Sequence, residues 1–342
     1  MEFGILLADV PRSIPPKQQF EDVRRIADAA QRNGFTYIAI GQHFLYGDLR
    51  WLQPVPVLAR LAADLNPDVK LVTHVMVGPV YHPVMLAEEV ATLDIVTDGR
   101  LCFGVGLGYR PEEFDYFGVP YKERGPRLDE SLEVMVKLWT EDQVTHHGRF
   151  YDLVGVQPHI QPVQQPYPPL WIGGHSRLGA RRAGRIGDAF LVPPETTHAE
   201  LADRFRIVAE GFAARGKPFG PQPVRRQVLV AKNRETALAE FARVAKGRYI
   251  TYAQRGLDLF EARDLETDFL TAAEQHAILG SADEVVAKLV DFAATFPVSP
   301  VILKPQWPVM GADETIAALD LLGRTVVANL RDLQPTTTIN FE

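Results

Sequence analysis

Two kinds of residue in this 342-residue chain could carry chemistry: histidines at the ends of apolar runs, and glycine clusters that free backbone amides. His43, preceded by Gln42, follows the run Tyr37–Ile40, and His74, preceded by Thr73, lies within Val72–Met76. An imidazole titrates near neutrality, so either could exchange a proton with a bound molecule; either could equally be a satisfied core residue. Gln42 can only hydrogen-bond. His146 and His147 are neighbours and would face opposite sides of a strand, which reads as structural, and His82 before Pro83 reads as a helix cap. No H-E-x-x-H, C-x-x-C or spaced carboxylate cluster is present, so no tightly bound catalytic metal is expected. Glu112, Glu113 and Asp115 read as a solvated polar turn. Cys102, within Leu101–Val105, reads as a small buried hydrophobe rather than a nucleophile.

The glycines differ in what they predict. Gly104-Val-Gly-Leu-Gly108 follows a strand, but its third glycine comes one residue early for G-x-G-x-x-G, and Pro111 interrupts any smooth helix after it. A dinucleotide loop is therefore not expected, although glycines at a strand end let a flat ligand approach the backbone. Pro169-Leu-Trp-Ile-Gly-Gly-His-Ser176 is a better anion cradle. Gly173 and Gly174 free the amides, Ser176 offers a hydroxyl, and the helix carrying Arg181 and Arg182 presents its N-terminus. Arg124 and Arg127 could supply the counter-charge, or could be solvated arginines opening a surface helix.

Behind these residues, short apolar runs alternate with amphipathic stretches. Strands are predicted over Phe3–Leu7, Tyr37–Ile40, Val69–Val77, Leu101–Val105, Leu170–Ile172, Ala189–Val192, Gln227–Ala231 and Val301–Leu303. Helical stretches separate them, the last over Ile316–Leu330. Eight such units close most naturally into a (β/α)8 TIM barrel, the open doubly wound sheet being the alternative. One domain spanning residues 1–342 is expected, with insertions over about 107–168 and 232–280. The first holds a helix around Leu128–Trp139 and a hairpin over Val144–Leu153. The second, with Tyr249, Tyr252, Leu257, Leu259 and Phe260, reads either as a substrate-covering segment or as helices packed outside.

Composition limits the rest. The formal charge of −7 argues against a nucleic-acid role. No run approaches the ~18 apolar residues of a membrane span. The opening MEFGILLADVPRS lacks a basic leader and a cleavage site, so a cytoplasmic protein is expected.

The stretches AEEVATLDIVTDGRLCFGVGLGYRPEEFDYFGVPYKERGPRLDES and PVQQPYPPLWIGGHS resemble the bacterial luciferase-like flavin-dependent oxidoreductases, a (β/α)8-barrel family, and the likeness extends from residue 1 to about 330. It implies a flavin across the C-terminal mouth of the barrel, its phosphate on Gly173, Gly174, His175 and Ser176 with Arg124 or Arg127 as cationic partner. Gln42, Thr73, His74, Gly106 and Tyr109 would lie near the flavin, with a non-prolyl cis peptide near His74–Val75. Luciferases carry Glu-His-His where this chain has Gly41-Gln42-His43, and their phosphate-binding arginine after the fourth strand falls on Leu107. Light emission is therefore not expected, and His43 is the proposed catalytic group. The resemblance implies an FMN-dependent monooxygenase that receives reduced FMN from a separate NAD(P)H:flavin reductase and uses O2 on a small organic substrate. The alternatives are a dehydrogenase or reductase using the deazaflavin coenzyme F420, and a flavin-binding protein without turnover. Family members are often homo-oligomers, dimers or tetramers.

Overall fold

A computed structural model describes residues 1–7, 9–254, 269–271 and 273–337. Eight parallel strands form the centre: β1 (Phe3–Leu7), β2 (Tyr37–Ile40), β3 (Lys70–Thr73), β4 (Leu101–Gly106), β5 (Leu170–Gly173), β6 (Ala189–Leu191), β7 (Gln222–Arg226) and β8 (Val298–Leu303). Their order is β6-β5-β4-β3-β2-β1-β8-β7, and a parallel bridge between Val192 and Val224 joins the two ends into a (β/α)8 barrel. Parallel strands covered on both faces need apolar residues throughout, which is why every residue of β1 and β4 is buried.

Around the barrel run α1 (Pro16–Arg32), α2 (Pro54–Ala62), α3 (Pro83–Val96), α4 (Pro111–Tyr116), α5 (Arg124–Thr140), α6 (Arg177–Ile186), α7 (His198–Ala213), α8 (Arg234–Gln254), α9 (Ala282–Thr295) and α10 (Ala312–Leu322). Proline opens α1 to α4, where its missing N–H costs nothing. Capping boxes start α7 at Thr197 and Glu200 and α9 at Ser281 and Glu284. Apolar helix faces pack on the barrel exterior as one core; Leu6, Ala39, Val72, Cys102, Leu191 and Ile302 form a second inside it. Among the described residues no helix is long and apolar enough to cross a membrane.

Several expectations are corrected. The seventh barrel strand is Gln222–Arg226, not Gln227–Ala231; the apolar stretch Val228–Val230 instead pairs with Ile278–Gly280 as a separate small sheet. Pro223, Arg225 and Arg226 hide β7 from a hydrophobicity reading. The run Val69–Val77 breaks into β3 and Met76–Val77, with the cis His74–Val75 peptide between them. Pro111 does not interrupt a helix but begins α4. The hairpin pairs Val144–His147 with Asp152–Val156, where His146 meets Glu130 at 3.3 Å and His147 meets Asp152 at 2.6 Å. Of the second insertion, α8 packs Tyr249 into a cluster with Phe241, Phe269 and Trp307; Leu257, Leu259, Phe260 and the Tyr252 side chain lie outside the described residues.

Candidate active site

A cavity of about 480 Å³ opens where the strands end, lined from all eight sides of the barrel by residues at or just beyond the ends of β1 to β8. His43 projects into it from the end of β2. Its Nδ1 lies 2.9 Å from Glu113 Oε1, an oxygen that also accepts from the Phe44 amide at 2.8 Å and Arg110 Nη1 at 3.3 Å. A carboxylate ringed by donors fixes the proton on Nδ1 and leaves Nε2 as the acceptor, with the Tyr109 hydroxyl 3.5 Å away. Burial holds this imidazole below its ordinary pKa, with Glu113 pulling the other way. Trp51 stands edge-on at 4.7 Å, and Tyr46 and Tyr109 complete an aromatic surround.

Glu113 therefore corrects the expectation of a solvated turn: it is fully buried, and only Glu112 and Asp115 are exposed. Arg110, 2% exposed, seals the same corner by donating to Phe44 O at 3.0 Å and stacking 4.4 Å over Tyr46. Gln42 braces the wall. Its amide donates to Gln53 at 2.9 Å and Tyr81 at 2.6 Å while Val77 N donates to its oxygen at 2.9 Å, so one lone pair remains for anything bound.

The glycines of β4 and β5 serve first to admit the protein's own atoms, the Thr73 carbonyl and the Val75 side chain. A Cβ on Gly104 would stand 2.0 Å from Thr73 O, and one on Gly106 or Gly173 would stand 2.9 Å from a Val75 methyl. Thr73 and Val75 thus fill space the missing side chains leave, and Val75 itself forms part of the cavity wall. His74 is held down to about 3, by burial and then by the Arg225 charge. Thr73 does not reach the cavity; its hydroxyl exchanges two 2.8 Å hydrogen bonds with Gly104.

Gly173, Gly174, His175 and Ser176 come together at the start of α6 as the spacing predicted. Ser176 Oγ accepts from Gly179 N at 3.2 Å as the N-cap, and Gly174 and Gly179 meet so closely that a Cβ on either would contact the other's Cα. Arg124 lines this end, stacked 3.7 Å over Tyr121 and without an ion pair among the described residues. Arg127 stays away from the cavity, paired with Glu123 at 3.0 Å. Arg182 reaches it, but Asp129 already holds it through contacts of 2.8 and 3.1 Å.

Sequence reasoning missed the opposite side entirely. Lys304, just past β8, donates to Asp9 at 3.0 Å, and Arg248 from α8 approaches the other Asp9 oxygen at 3.3 Å. The two cations hold Asp9 at about 2 against the upward push of its burial. Arg225 faces the cavity from β7. No local motif announces these residues; an aspartate and a lysine nearly 300 positions apart meet only because β1 and β8 are neighbours.

The protein of known structure RslO1, a monooxygenase from Streptomyces bottropensis, superposes with a TM-score of 0.82 at 25% identity, over 96% of this chain and 99% of that one. The FMNH(2)-dependent dimethylsulfone monooxygenase of Pseudomonas putida is 29% identical over 201 residues, 56% of this chain and 55% of its own. An F420-dependent glucose-6-phosphate dehydrogenase from Segniliparus rotundus is 33% identical over 175 residues, 48% of this chain and 50% of its own. The chain thus spans about half the length of these curated relatives. A family model described as luciferase-like monooxygenase matches residues 1–298, and with that match over most of its length the chain belongs to the luciferase-like monooxygenase family.

Proposed function

We propose that this chain is the oxygenase of a two-component system, taking reduced FMN from a separate NAD(P)H:flavin reductase and using O2 to oxygenate a small organic substrate. The observation that carries the reading is the His43 imidazole, locked by Glu113 at Nδ1 and presenting Nε2 as acceptor beside the Tyr109 hydroxyl in a ligand-sized cavity. RslO1, which matches at 25% identity over nearly the whole chain, is named a monooxygenase, which weights the reading toward oxygenation.

The residues present fit a flavin. The amides at the start of α6 and Arg124, which makes no ion pair among the described residues, suit a phosphate, so Gly173, Gly174, His175 and Ser176 would hold that group with Arg124. Gln42, His74, Gly106 and Tyr109 would border its ring. A bound reduced flavin supplies electrons and reactivity toward O2. The protein does the remainder. Leu6, Trp51, Val75 and Leu191 exclude water, Glu113 fixes the His43 tautomer, and His43 Nε2 accepts or returns a proton at the substrate. The same acceptor would serve a dehydrogenase, whose alcohol substrate must lose a proton as hydride leaves. With the F420-dependent relative, that supports deazaflavin-dependent hydride transfer as the second reading.

Anaerobic titration with FMN and with F420, followed by oxygen, separates them. Tight binding of reduced FMN and a transient oxygen-dependent absorbance change are expected. Selective F420 binding without oxygen reactivity would overturn the first reading in favour of the second.

A further inference from the structure

Among its described residues the cavity lining holds more cations than carboxylates. Among the described lining residues the carboxylate is Glu195, against Arg124, Arg182, Arg225 and Lys304. Asp129 offsets Arg182, and Arg124 belongs to the phosphate end. On the β7–β8 arc Asp9 meets both Lys304 and Arg248. Arg225 beside them makes no ion pair or side-chain hydrogen bond among the described residues, Glu195 included, and its Nε is buried without a partner. A guanidinium is costly to shield from water unless something pairs with it. Burial holds the Lys304 ammonium down to about 8 even with Asp9 pulling it up, and the Arg248 and Arg225 guanidiniums add to the depression. The arc thus crowds cations around Arg225, which pairs with no described carboxylate.

We propose that Arg225 and Lys304 form an anion subsite for the acidic head group, carboxylate or sulfonate, of an organic substrate whose apolar body lies along Leu6 and Trp51 toward His43. This rests on the assignment of the α6 end to the cofactor. In an eight-stranded ring the β4–β5 side faces β8–β1, so a head group at Lys304 sits across the mouth from the phosphate cradle. Arg225 offers the planar fork that matches such groups, and Lys304 a compact second charge. A cation pair in a partly enclosed cavity also concentrates anions from solution.

Isothermal titration calorimetry at pH 7 tests this on the purified full chain, with and without FMN. The probes are benzoate, benzenesulfonate and the neutral benzamide. The two acids should bind about ten-fold tighter than the amide, as a charge-assisted contact provides. Arg225→Gln should remove most of that preference and Arg225→Lys restore part of it, both with FMN affinity within about two-fold of wild type, the range expected for a residue outside the cofactor site. Equal binding of acid and amide by the wild type, or an undiminished preference in Arg225→Gln, would overturn the proposal. So would a loss of FMN affinity in that variant with the acid preference intact, since the arc would then serve the cofactor phosphate. Failure of the wild type to bind FMN while the preference holds would sink the cofactor assignment and leave the anion subsite standing.

Discussion

His43 shows how much a single side chain depends on its partner. Glu113 orients the ring, fixes the tautomer and opposes the effect of burial. His43→Ala should lower turnover by about 10²-fold or more, the usual contribution of a positioned acid–base group, while cofactor affinity stays near wild type. Normal turnover with cofactor bound would remove the residue from the chemistry. Glu113→Gln separates positioning from mere structure through pH. Losing the carboxylate removes the interaction that favours the imidazolium, so the acidic limb of the rate profile should move to lower pH while the maximum rate falls. An unmoved limb would show that Glu113 does not act on His43.

At the scale of an element, the start of α6 and the end of β4 make opposite demands. Ser176 caps α6, and aspartate caps as well as serine does, so Ser176→Asp should leave thermal stability unchanged or slightly higher. The same carboxylate would repel a phosphate, and FMN affinity should drop by about ten-fold or more; an affinity equal to wild type would take this loop out of the site. Gly104 tolerates no side chain at all, because its Cβ would overlap Thr73 O. Gly104→Ala should cost on the order of 2 kcal/mol or more in chemical denaturation, as overpacking does in a filled core. A negligible change would mean that the Thr73 carbonyl can move.

Across the whole molecule, the mouth buries several histidines that its surroundings keep neutral. Burial is the leading cause for His43, His74 and His175, and each is held below the ordinary value of 6.5. A histidine with a lowered folded pKa binds protons first in the unfolded chain. Its contribution to stability is therefore complete above about 6.5 and is lost as pH falls below that value toward the folded pKa. Each such residue can remove up to about 1.4 kcal/mol per pH unit in that window. Urea unfolding should accordingly show stability falling from pH 7 to pH 5, and flat stability over that range would contradict the assignment of neutral histidines. Asp9 adds a second loss, but only below about 4, as pH approaches its folded value of about 2.

What the amino-acid order determined by itself is what depends on neighbours in the chain. Hydrophobic periodicity placed β1, β2 and β4 to β6 because buried parallel strands are apolar runs, and the Gly173–Ser176 turn was legible because an amide-rich helix start is a local motif. The same logic failed at β7, where Arg225 and Arg226 made a barrel strand look polar and the apolar stretch beside it had another use. It also misread Glu113, whose acidic neighbours suggested solvent, because only the packing of α4 under the mouth buries that carboxylate against His43, 70 residues away. Asp9, Arg225, Arg248 and Lys304 have no shared signature in sequence. Barrel closure brings them together, and the charge they concentrate is a property of the closed ring, since electrostatic interaction depends on distance in space and burial rather than on distance along the chain.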